Sequence, residues 1–171
     1  MSRLLTLLAA VGTLALTSCG GDDFKKTTPV SGRVTVDGRP AADCMVYLYR
    51  TFDDDRPHRV SPLAVCAADG SFKVTSYLTD DGAPPGEYVI GFEWRERSGV
   101  LGNQYDGADR LGGAYANKDL KAATPPFRFQ VGTAPLALPA FELKTPPDAR
   151  RKNDERAAKK GKSPAMMGGD K

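Results

Sequence analysis

The chain has one histidine and three cysteines in 171 residues, and each scarcity removes a class of chemistry. A nucleophilic site needs an activating base within hydrogen-bond reach. His58 stands alone in the charged run Asp53-Asp54-Asp55-Arg56-Pro57-His58-Arg59, which reads as an exposed hairpin loop, and no motif sets a serine or cysteine against it. Zinc held by Cys44, Cys66 and His58 lacks a fourth ligand and any closely spaced pair. Calcium loops place oxygen ligands at alternate positions around a glycine, and Asp53 to Asp55 have neither feature. The sequence therefore predicts no enzyme, no metal and no cofactor. Beyond Leu16 no apolar run is long enough to cross a bilayer, and no convincing amphipathic helix is present.

One apolar run does occur, at the start. Arg3 precedes Leu4 to Leu16, which is apolar apart from Gly12 and two threonines. That run is too short to span about 30 Å of hydrocarbon and suits a signal-peptide core. It ends in Leu16-Thr17-Ser18-Cys19, which resembles the bacterial lipobox. The resemblance implies that residues 1–18 are removed as a signal peptide and that Cys19 carries lipid. Two or more acyl chains hold a protein on a membrane, whereas one binds only reversibly. The expected location is the cell membrane or cell envelope, lipid-anchored and facing the periplasm or exterior. Residues 19–29 then form the lipidated cysteine and a polar tether.

Charge is unevenly placed. Residues 22–143 carry 14 basic and 17 acidic side chains, a net of −3, while residues 144–171 carry nine basic and four acidic, a net of +5. The sequence pI of about 8.8 thus comes mainly from the end of the chain, and no nucleic-acid partner is expected. Between them lies one domain of strand-like pattern, residues 30–143. Side chains alternate across a strand, and the runs Ser31–Val36, Cys44–Tyr49, Leu63–Cys66, Phe72–Thr75, Glu87–Trp94, Phe127–Val131 and Leu138–Leu143 fit that period. Tyr88, Ile90, Phe92 and Trp94 share one face, the densest aromatic stripe, and are expected in the core. Residues 144–171, with Pro146-Pro147 and only alanines to bury, read as a disordered basic tail.

The turns carry a more specific signal. Gly32-Arg33-Val34-Thr35-Val36-Asp37-Gly38-Arg39-Pro40, then Ala67-Ala68-Asp69-Gly70-Ser71-Phe72, then Asp81-Gly82-Ala83-Pro84-Pro85-Gly86-Glu87-Tyr88, resemble the carboxypeptidase regulatory-like, or transthyretin-like, domain. The version most similar is that of small lipoproteins abundant in planctomycete bacteria, where a late-loop tyrosine, here Tyr115, precedes the last two strands. The resemblance implies an all-β fold, a single Greek-key β-sandwich (prealbumin-like) of about seven strands. It implies very little chemistry, since the family's accessory modules sit beside catalytic domains that this chain does not contain. Cys44 and Cys66 depart from the residues usual at their places.

The leading functional expectation is a non-enzymatic, lipid-anchored envelope protein with a structural or protein-interaction role. The alternative is a module that binds carbohydrate or a cell-wall polymer. Candidate surfaces are the 50–62 loop, the 97–126 excursion with Tyr105 and Tyr115, and an exposed sheet edge; Tyr47, Tyr49 and Tyr105 are candidates for sugar stacking. With Cys19 taken by lipid, Cys44 and Cys66 form an even pair in an oxidising compartment. They are a candidate disulfide, or two small core residues.

Overall fold

The computed structural model describes residues 25–51, 60–97, 107–117 and 126–161. Residues 1–18, Cys19, the Asp53–Asp55 and His58 loop and Tyr105 lie outside them. Among the described residues nine strands and one helix follow in order. Strand β1 (Val30–Val36) turns at Asp37-Gly38 into the short β2 (Arg39–Pro40). Both turn residues have positive φ, 51° and 77°, the backbone that a two-residue hairpin of matching twist requires. Then come β3 (Met45–Arg50), β4 (Leu63–Val65), β5 (Ser71–Lys73), β6 (Gly86–Glu93) and β7 (Arg128–Val131). The final strand expected over Leu138–Leu143 is confined to β9 (Phe141–Leu143), and a short further strand, β8 (Leu136–Ala137), precedes it. Pro139 lies between them and has no N–H to continue a ladder.

The strands form two sheets, an all-β sandwich. One has β1 paired with β2, β5, β8 and β9; the other runs β4-β3-β6-β7. The chain changes sheet after β2, β4, β5 and β7, so their faces close over one core. β1 pairs in parallel with β8 and β9 and antiparallel with β2 and β5. The core takes Val34 and Val36 from β1, Val46 and Leu48 from β3, and Tyr88, Ile90 and Phe92 from β6, all nearly solvent-free. Tyr88, Ile90 and Phe92 of the aromatic stripe are thus inward as expected, while Trp94 is only partly buried against the core. Phe92 meets Phe141 with ring centroids 5.0 Å apart. The buried Tyr88 hydroxyl donates to the Pro84 carbonyl at 2.8 Å, which satisfies its one polar group.

Both boundaries of the domain differ from the sequence reading. Thr28 belongs to the sandwich and not to the tether. It is 2% exposed, exchanges backbone hydrogen bonds with Ala83 at 2.9 and 3.0 Å, and donates its hydroxyl to the Gly132 carbonyl at 2.7 Å. Gly82 makes this possible: at φ 89°, a Cβ there would lie 1.8 Å from the Thr28 carbonyl oxygen. At the other end, residues 147–161 of the expected disordered tail form a helix, α1 (Pro147–Gly161), with Asp148 in its first turn. Proline suits a first helical position and an acidic residue the helix start. Three contacts hold it: Ala149 is buried, Arg150 pairs with Asp37 at 3.2 Å, and Asn153 Nδ2 donates to the Arg110 carbonyl at 3.0 Å. Alanine suffices because Gly112 leaves no side chain in the way; a Cβ there would stand 3.0 Å from that of Ala149.

Candidate interaction surface

Strand alternation gives the four-stranded sheet a second face, directed away from the core. Its rows follow from register: Val65, Met45 and Glu93; then Leu63, Tyr47 and Gly91; then Tyr49, Val89 and Arg128. Leu63 and Val65 are 39% and 41% exposed. Met45, Tyr47 and Tyr49 are half-buried. The tyrosine rings stack with centroids 6.1 Å apart and planes 19° apart. Gly91 lets them lie low, because a Cβ there would come within 2.8 Å of the Tyr49 ring and 2.6 Å of the Ala116 carbonyl oxygen. Val89 is consequently sealed, while the strip from Val65 to Tyr49 stays open.

Charge sits at the ends of this strip. Arg95 pairs with Glu93 at 2.8 Å, which raises the Arg95 pKa above the usual guanidinium range. Partial burial, followed by the Glu93 charge, pushes both tyrosine hydroxyls upward, so both stay neutral at physiological pH. At the far end Arg128 pairs with Glu87 at 2.9 Å. The Thr51 hydroxyl donates to the same carboxylate at 2.6 Å and, with Arg128, holds it below the usual range. An apolar, tyrosine-bearing centre with a polar rim has the anatomy of a protein interface.

Of the residues picked out from sequence, Tyr115 is a packing residue. Its ring lies 6.3 Å from that of Phe127, and its hydroxyl accepts from the Lys144 N–H at 3.0 Å. It therefore ties the 107–117 segment to the strand end after β9. Tyr105 lies outside the described residues. Cys44 and Cys66 are both buried thiols. Tyr47 and Tyr49 are brought together as a pair, but their neighbours Leu63 and Val65 went unnoticed as surface residues. Their apolar side chains alternate with the core-facing Ala64, and only its small size hinted that the strand faces inward through alanine.

A second concavity, of about 400 Å³, lies where α1 crosses the end of β6, lined by Trp94, Arg95, Arg97, Arg110, Asn153 and others. Arg97 pairs with Asp43, and the Arg110 guanidinium lies 5.0 Å from the Trp94 ring centroid. Among the described residues no group of three or more metal-ligating side chains converges, and no helix is long and apolar enough to cross a membrane.

No family model matches the chain, and no characterised protein matches it in sequence. Among solved structures it is similar to a DUF3823 family protein from Parabacteroides merdae, at 15% identity and a TM-score of 0.32, over 72% of this chain. The chain spans about half of that protein, 48% of its length.

Proposed function

We propose that this protein is a lipid-anchored, non-enzymatic envelope protein that binds a protein partner through the outer face of its four-stranded sheet. One observation carries the reading: Leu63 and Val65 stand exposed beside Met45 and the stacked Tyr47 and Tyr49. A fully exposed aliphatic or aromatic side chain gains about 1.5–3 kcal/mol on burial, and covering the part of these four that is still open gains a fraction of that each. The partner is a protein with an apolar patch of its own, since the flanking Glu93–Arg95 and Glu87–Arg128 pairs suit a rim of mixed charge. The lipid anchor rests on Leu16 to Cys19, and membership among the carboxypeptidase regulatory-like lipoproteins rests on the Asp-Gly turns; both belong to this proposal.

The test places a photoreactive side chain at residue 63 in the membrane-bound chain, with Glu142 on the opposite sheet as the control position. A discrete protein adduct from position 63 alone, abolished by Tyr47→Ala, supports the reading. Equal labelling from both positions, or none from 63, sinks it. Intact mass tests the anchor separately, because a Cys19 without added acyl mass ends that part. The nearly parallel tyrosine rings favour one second reading, stacking of a cell-wall sugar. Glycan binding would survive Leu63→Glu and vanish with Tyr47→Ala.

A further inference from the structure

Cys44 and Cys66 meet at the end of the β3–β4 ladder. Its register pairs Met45 with Val65, which brings the two cysteines opposite each other one step further on. Hydrogen bonds define the step: the Cys66 N–H donates to the Cys44 carbonyl at 2.9 Å, and the Asp43 N–H donates to the Cys66 carbonyl at 2.9 Å. Asp43 has φ 64°. Two residues thus face one, the first in a left-handed conformation, which is a G1-type bulge. Alternation along β3 and β4 sends both cysteine side chains inward with Val46 and Ala64. Both are buried, at 0% and 3% exposure.

Opposed residues of an antiparallel pair stand about 4.5–5.5 Å apart at Cα. A disulfide accepts roughly 4.4–6.8 Å, a range that contains the ordinary spacing of an opposed pair. We propose that Cys44 and Cys66 are joined by a disulfide in the exported, folded protein, clamping the β3–β4 hairpin beside the first row of its outer apolar face. The proposal goes beyond the interaction reading and rests, for its oxidant, on export to an oxidising compartment. The oxidant is a disulfide carrier. One cysteine thiolate attacks it and releases the first carrier thiolate; the second attacks the mixed disulfide and releases the other. Two electrons pass to the carrier, whose thiolates take up the two protons.

The folded site also dictates when this happens. A hydrogen bond with Cys66, then burial, pushes the Cys44 thiol far above the usual range. A thiol so placed does not attack. The bond therefore closes during folding, before the hairpin is covered, and the core afterwards shields it from reductant.

The experiment uses the full lipidated chain, extracted from its own membranes with free thiols trapped by alkylation. Tryptic peptides 34–50 and 60–73 should be found linked, two mass units below the sum of the reduced pair. Reduced, unfolded chain should regain the link when refolded in detergent with oxidised glutathione, and lose it to mild reductant only when unfolded. The oxidised form should melt roughly 10 °C above the reduced one. Cys44→Ala with Cys66→Ala should melt near the reduced form and ignore reductant. Alkylation of both cysteines in both preparations overturns the proposal at its geometry. Closure in glutathione with free thiols in the membrane-extracted chain overturns it for the cell, and locates the failure in export.

Discussion

The two faces of the four-stranded sheet differ in exposure far more than in composition. On β3, Val46 and Leu48 are sealed, while Met45, Tyr47 and Tyr49, one residue out of step, remain half open. On β4, Ala64 is buried between the exposed Leu63 and Val65. The larger aliphatic side chains of that strand therefore point outward and the smallest points in. Hydrophobicity did not sort them; the second sheet did, by covering one face. The outer face keeps an apolar strip, and the proposed binding rests on it.

The sharpest way to break this comparison is to damage each face in turn. Phe92→Ala, on the inner face, removes a fully buried ring that packs on Phe141 and Phe127. It should destabilise by about 3–5 kcal/mol, read as a drop in the urea midpoint. Gly91→Ala, on the outer face, should cost about 1–3 kcal/mol, because its methyl would meet the Ala116 carbonyl and the Tyr49 ring. If it is silent in the same titration, the tyrosines do not lie as low as described. Leu63→Glu with Val65→Lys should alter stability by no more than about 0.5 kcal/mol, yet abolish the crosslink formed from a photoreactive group at position 47. A loss as large as that of Phe92→Ala would mean that the two faces are equivalent and the strip is core.

The smallest expected effect lies in pH. Hydrogen bonds from Thr145 to Asp37, from Ser71 to Asp69 and from Thr51 to Glu87 lower these carboxyls from 3.8, 3.8 and 4.5. A lowered folded pKa contributes stability that is present above the unfolded value and lost as pH falls through the folded one. Melting temperature should therefore be flat from pH 7 to about 5 and decline below about 4.5. All three groups are open to solvent, so salt and screening keep the decline shallow. Asp69→Asn should flatten it further without touching the crosslink. A steep fall near neutrality would contradict these assignments.

Much of the sandwich was legible because strand period and turn chemistry are local. Val34 with Val36, the Tyr88–Phe92 stripe and the Asp-Gly turns each announce their geometry within a few residues. Helix α1 was legible only as a transient helix over Asp148 to Lys160, and its docking was not legible. Its sequence has almost nothing to bury, and its hold on the domain comes from Asp37, Arg110 and Gly112, none of them near it in sequence. Pro147 followed by Asp148 was the available sign of a helix start, outweighed by the charge-rich composition around it. The packing of Tyr115 was not legible for a similar reason: its partners, Phe127 and the Lys144 backbone, come from later segments.

The residues by themselves determined the strand alternation, the hairpin turns and the inward aromatic stripe, since each depends on side-chain period and backbone preference over a few positions. Only the tertiary structure decided which sheet face stays open and that Thr28 and α1 join the domain. Those outcomes depend on contacts between segments far apart in the chain, and such contacts exist only once the two sheets have closed on each other.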